Sequence, residues 1–140
     1  RPGCFTGKWA LATEGQNWLP YLVHCVAREK PFTVYGYGGK QVRDLLHVSD
    51  LANACLLWLA QPSSGVWNIG GGPERAINLD SAVAWVEERL GKKAVIEYAD
   101  RRAGDIRCLV MDSDKFIAKY GWRPTMSLQA TLDEVVEAFK

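Results

Sequence analysis

Segments with the 3.6-residue period of an amphipathic helix alternate along this chain with short runs of β-branched and aromatic residues. No other feature restricts the fold as much. Leu19, Leu22, Val23 and Val26 mark one helical face, with Pro20 in the first turn, where a missing N–H costs little, and Pro31 as the stop. Leu51, Cys55, Trp58 and Leu59 mark a second helix, capped by Ser49 or Asp50 and ended by Pro62. Leu79, Val83, Val86 and Leu90 mark a third, from an Asn78 cap to a Gly91 stop. A short helix is expected over Ser113 to Tyr120 behind Asp112, and a last one carries Leu128, Leu132, Val135, Val136 and Phe139. Strands are expected at Phe32 to Tyr35, Val42 to Val48, Val66 to Ile69, Val95 to Tyr98 and Leu109 to Met111. The alternation predicts an α/β fold.

At 140 residues and 48% hydrophobic content, the chain is large and apolar enough for one domain, residues 1–140, with its own core. Lys and Arg number 17 against 16 Asp and Glu, a net charge of +1. That balance gives no broad attraction to nucleic acid or to an anionic membrane surface. No apolar run approaches the roughly 20 residues of a membrane span, and no charged-then-apolar leader opens the chain. The opening Arg1-Pro2-Gly3-Cys4-Phe5 reads like the interior of something longer. Cys4, Cys25, Cys55 and Cys108 form no CxxC spacing, so no metal site is expected. Cys25 and Cys55 fall in apolar helical patterns and read as buried free thiols of a reducing, cytoplasmic setting.

Three segments could carry chemistry. Gly70-Gly71-Gly72 follows a strand pattern, but a dinucleotide fingerprint needs glycine at position 75, which is Arg75. The plainer reading is a tight strand-to-helix turn. Tyr35 to Asp44 is glycine-rich and holds two aromatics and two cations; it is either a pocket rim or an ordinary hairpin with solvated charges. Arg101-Arg102-Ala103-Gly104-Asp105 offers a guanidinium fork suited to phosphate and a carboxylate suited to ribose hydroxyls, or simply a salt-bridged turn. Glu87-Glu88 and the pair Glu134 and Glu137 read as solvated helix faces, and no nucleophile, base and acid set can be assembled.

Five segments taken in order carry a resemblance: Phe32 to Gly38, Gln41 to Leu51, Val66 to Gly72, Arg102 to Asp105 and Tyr120 to Pro124. Together they resemble the C-terminal half of NAD-dependent nucleotide-sugar epimerases and dehydratases, the extended short-chain dehydrogenase/reductase family. Gly39 to Asp44 and Arg1 to Gly7 look most like its CDP-paratose/tyvelose 2-epimerase branch. The resemblance implies the C-terminal, substrate-binding part of a Rossmann-like fold with an incomplete parallel sheet, Arg1 to Cys4 being the end of one of its strands and Val66 to Ile69 another. It implies that Arg43 and Arg102 meet the diphosphate or nucleoside of a nucleoside-diphosphate sugar. Asp105 then faces the ribose, and Thr33 and Tyr35 border the base. In the complete enzyme of that family NAD or NADP transiently oxidises a sugar hydroxyl, with a tyrosine as base.

The chain also departs from the family pattern. It contains no glycine-rich NAD loop, and none of Tyr21, Tyr35, Tyr37, Tyr98 and Tyr120 has a lysine four positions on. Cys4 stands where many members carry an Asn beside the sugar nucleotide. The expectation is therefore a nucleotide-sugar-binding portion, silent in catalysis on its own and binding no cofactor alone. It would be partnered by a second copy of itself or by a missing N-terminal NAD-binding portion. The alternatives are a stand-alone binding or assembly module and a structural remnant without a ligand.

Overall fold

The computed structural model describes all of residues 1–140. In chain order the elements are β1 (Cys4–Thr6), α1 (Trp18–Ala27), β2 (Pro31–Tyr35), β3 (Val42–His47), α2 (Val48–Ala60), β4 (Ala76–Asn78), α3 (Leu79–Leu90), β5 (Val95–Ala99), β6 (Cys108–Leu109), α4 (Asp114–Tyr120) and α5 (Leu128–Glu137). They form an α/β fold with two small sheets. In one, β3 is the hub: β1 and β6 pair with it in parallel and β4 antiparallel. In the other, β2 and β5 run parallel from Pro31↔Val95 to Tyr35↔Ala99. No helix is long and apolar enough to cross a membrane.

The apolar faces of α1, α3 and α5 close over β2 and β3. Leu19, Leu22, Val23, Val26, Phe32, Leu45, Val86 and Val135 belong to this core of 14 buried residues. The α1 helix ends at Ala27, before Pro31. Glu29 takes a left-handed φ of 54°, and the Lys30 N–H reaches back to the Cys25 carbonyl at 2.9 Å. Pro31 is instead the first residue of β2. Asn78 caps α3 through the Ser81 N–H, and Gly91 ends it in the left-handed region. At α4 the Asp112 carboxylate accepts the Asp114 N–H at 2.9 Å, although Ser113 occupies the cap position.

A smaller core of Leu46, Ala54, Ile69, Phe116 and Trp122 lies under α2. Here the helix is rotated from the expected stripe. His47, rather than Ser49 or Asp50, is the N-cap, its Nδ1 accepting the Ser49 N–H at 3.2 Å. Asp50 and Ala54 are buried, whereas Leu59 is 61% exposed and Cys55 is at the surface. The cause is the Asp50 carboxylate. One oxygen accepts the Thr125 N–H (2.9 Å) and hydroxyl (2.7 Å), and the other accepts the Met126 N–H (3.0 Å). A buried carboxylate must be satisfied, so it sets the helix rotation against apolar pattern. Arg75 clamps the same segment, donating to the Met126 (2.7 Å) and Pro124 (2.9 Å) carbonyls.

Several strand expectations fail for identifiable reasons. Val66 to Ile69 makes no regular strand; it meets the start of the chain only through the parallel bridge Pro2↔Ile69 and the Arg1 amine, which donates to the Trp67 carbonyl at 2.8 Å. The strand expected at Leu109 to Met111 is β6, at Cys108–Leu109, because the Met111 N–H turns to the Asp44 carboxylate at 3.2 Å. Val48 starts α2 rather than ending β3. Gly70-Gly71-Gly72 leads through a single 3₁₀ turn, Pro73–Arg75, into β4 and only then into α3. The segment from Tyr35 to Asp44 is not a hairpin, since β2 and β3 lie in different sheets.

Candidate functional site

Between the two sheets, α1 and the loop after β5, a small open cleft of about 110 Å³ is found. Thr33, Tyr35, Arg43, Arg102 and Asp105, the five expected site residues, all line it. The parallel pairing of β2 with β5 accounts for part of this. It brings Tyr35 level with Ala99 and delivers the loop that follows β5 to the same wall. The placement of Arg43 on β3, one residue before the buried Asp44, accounts for the rest.

The two cations are in different states. Arg102 is already paired: its Nε and Nη2 donate to the Asp105 carboxylate at 3.0 and 3.4 Å, and its guanidinium lies 4.3 Å from the Tyr35 ring centre. The salt-bridged turn and the cleft wall are thus the same structure. Arg43 has no carboxylate within 4.0 Å and donates only to the neighbouring Val42 carbonyl at 2.8 Å. The Tyr35 hydroxyl donates to Glu14 Oε1 at 2.6 Å, and this bond is the main cause pushing the Tyr35 phenol above its ordinary value. Opposite, the Tyr37 hydroxyl donates to the Asp105 carbonyl at 2.9 Å and accepts from Arg101 at 3.3 Å. Arg101 is held more firmly protonated by that contact with Tyr37. Behind Trp18 and Arg43, burial pushes the Cys4 thiol up, against the opposing influence of those two side chains.

Glu14, Trp18, Tyr37, Gln41, Leu79 and Ile106 line the cleft as well. Tyr37 and Gln41 lay in the glycine-rich segment singled out above; Glu14 and Ile106 sit in loops whose composition carries no signal. Glu134 departs from the solvated reading, since His47 Nε2 is 3.2 Å from its Oε2.

The glycine triplet is not a dinucleotide cradle. A Cβ on Gly71 lies 2.2 Å from the Leu45 carbonyl oxygen, and one on Gly70 lies 2.3 Å from the Met111 side chain. The backbone at Gly70 and Gly71 is closed in by Met111 and Leu45, and the Gly72 N–H is given to Asp44 at 2.9 Å. This segment therefore does not have the form of an NAD pyrophosphate loop.

Residues 1–70, half of the sequence, match the NAD dependent epimerase/dehydratase family. The chain belongs to that family. Among curated members it is 27% identical over 126 residues to dTDP-4-dehydro-6-deoxyglucose reductase of Escherichia coli, covering 89% of this chain and 39% of the relative. It is 34% identical over 104 residues to UDP-glucose 4-epimerase of Corynebacterium glutamicum, covering 72% and 31%. The solved structure of Thermus thermophilus UDP-glucose 4-epimerase with NAD superposes with a TM-score of 0.86 at 26% identity, over 99% of this chain and 45% of that one. MoeE5 in complex with UDP-glucuronic acid and NAD gives 0.83 at 26%, over 99% and 45%. The chain thus spans less than half the length of these family members, and its small, incomplete sheets fit that Rossmann-like architecture.

Proposed function

We propose that this chain is the nucleoside-diphosphate-sugar-binding portion of an NAD-dependent epimerase or dehydratase, a single domain without catalysis of its own. The observation that carries the reading is convergence. Residues on β2, on β3 and in the loop after β5 meet in one cleft holding two arginines, an aromatic face and a carboxylate. Arg43, free of acidic partners, takes the diphosphate. Arg102 joins it by exchanging Asp105 for phosphate oxygens, a swap between two charge-assisted bonds of the same kind. Asp105, once released, accepts from ribose hydroxyls, while Thr33 and Tyr35 border the base. NAD, which relatives of known structure bind, is held in the complete enzyme by residues other than these, as are the tyrosine and lysine that move the proton.

The uncovered apolar face of α2 supports a second element of the proposal, an association surface for another copy of the chain or for the NAD-binding portion. Leu56 and Leu59 are 64% and 61% exposed there, and Val66 in the loop that follows is 51% exposed. Calorimetry with UDP-glucose tests the binding role: saturable binding that Arg43→Ala weakens supports it, and no heat at millimolar ligand overturns it. Epimerisation by the purified chain with added NAD overturns the silent-catalysis part.

A further inference from the structure

The cleft contains a second charge without a counter-ion. Glu14 sits outside any helix or strand, yet its place is fixed. The Gln16 N–H closes the turn onto the Thr13 carbonyl at 3.2 Å, and the Asn17 carboxamide reaches the Leu11 carbonyl at 3.4 Å. One carboxylate oxygen accepts the Tyr35 hydroxyl; no hydrogen bond or ion pair reaches the other. Arg43 shares the same cleft and also lacks an ionic partner. An unpaired anion and an unpaired cation in one cleft make it polar along its length. An anionic ligand segment is drawn to Arg43 and repelled from Glu14, whereas a segment bearing N–H or O–H donors is suited to the carboxylate.

We propose that Glu14 is a specificity-determining residue that accepts a hydrogen bond from a donor of the nucleoside, beside the Tyr35 ring, and so fixes which end of the ligand enters first. The inference rests on the nucleotide-sugar reading of the cleft. Tyr35 contributes by remaining a protonated donor to one oxygen, which leaves the other free to accept from the ligand. The diesterified diphosphate of a nucleotide sugar has no donor at neutral pH and is an anion, so Glu14 disfavours it in the wrong orientation as well as favouring the nucleoside.

The test compares two probes, UDP and inorganic pyrophosphate, by calorimetry on the wild-type chain and on Glu14→Gln. The amide keeps an oxygen for Tyr35 and removes the charge, and Glu14 is exposed, so the fold is expected to persist. The expected result is a crossing: UDP binds about fivefold or more weakly to the variant, and pyrophosphate binds equally or more tightly. N3-methyl-UDP and 2′-deoxy-UDP then separate the two sources of the donor. The probe that lacks it binds the wild type as weakly as UDP binds the variant, and the variant does not discriminate against it. Parallel changes for UDP and pyrophosphate, or no change, overturn the role of Glu14 while leaving the nucleotide-sugar reading in place. A wild-type chain that binds neither probe overturns both.

Discussion

Under the cleft, α1, β2, β3, α3 and α5 contribute 14 buried apolar residues to one continuous core, whereas α2 and α4 close over only five. The first half is held by ordinary apolar packing and leaves its polar groups free to line a site. The second is held by polar clamps, Asp50 on Thr125 and Met126 and Arg75 on Pro124 and Met126, and it turns Leu56 and Leu59 outward. Under the function proposed above, the difference amounts to a division of labour, recognition in one half and assembly in the other.

The largest effect should come from breaking the polar clamp. Asp50→Ala leaves two backbone N–H groups and a hydroxyl without their acceptor, and is expected to cost about 3–5 kcal/mol, as much as truncating a fully buried leucine. Leu22→Ala, in the cleft half, is the matching core truncation. Urea unfolding of both variants checks this. If Asp50→Ala costs less than about 1 kcal/mol, the α2 half does not depend on its clamp and the contrast collapses.

Next in size is the contrast between the two arginines. Arg43→Ala removes an uncompensated cation and should weaken UDP-glucose binding about tenfold or more. Arg102→Ala should cost less, because Arg102 gives up its bond to Asp105 when it meets a ligand. Asp105→Ala should tighten inorganic pyrophosphate by releasing Arg102, with calorimetry as the measure. Equal losses for the two arginines would mean that the Arg102–Asp105 pair does not compete with ligand.

How far these features can be read in the sequence follows the same division. The helices of the cleft half were legible because their burial is apolar and periodic: Leu19, Leu22, Val23 and Val26 face inward as their spacing predicts. The spacing misplaces the α2 stripe because a carboxylate outranks leucine in setting the helix rotation, and hydrophobic periodicity does not register the partners of Asp50. β4 has only three residues, too few for a period, and its place comes from Val42↔Asn78 pairing across the chain. The five site residues are legible only as a set, through resemblance; separately, Thr33 reads as a strand residue, Tyr35 and Arg43 fit an ordinary hairpin, and Arg102 and Asp105 fit a salt-bridged turn. Glu14 carried no signal, since its significance lies in Tyr35, which the fold alone brings to it.

The assembly half makes a smaller prediction. Leu59→Glu places a charge on an exposed position, so monomer stability should change by no more than about 0.5 kcal/mol. Self-association in sedimentation equilibrium should fall, and the exposed Cys55 on the same helix should react with a thiol reagent more slowly as wild-type concentration rises. Cys108, exposed on β6, serves as the control whose rate stays constant. A concentration-independent monomer of 15.6 kDa would show that the α2 face does not recruit another copy.

The smallest effect expected lies at the entry to β5, the strand that carries the cleft loop. Glu87, near the end of α3, accepts from Lys93 Nζ and the Ala94 N–H at 2.8 and 2.9 Å, bracing the turn before Val95. The Lys93 contact first, and then the Ala94 N–H, hold its carboxyl below the ordinary value of 4.5. A carboxyl whose pKa is lowered by folding stabilises the native state above its unfolded value, and that contribution is lost as pH falls through the folded value. The wild type should therefore melt above Glu87→Gln at neutral pH, and the gap should close on acidification below 4.5. The amide still accepts the Ala94 N–H, so only the charged part of the interaction is removed. The Lys93 side chain is 89% exposed, so added salt should narrow the gap at neutral pH too. Glu88→Gln, at an exposed neighbour, should show no gap at any pH. A Glu87 gap that persists unchanged in acid would place the stabilisation in the shape of the turn rather than in its charge.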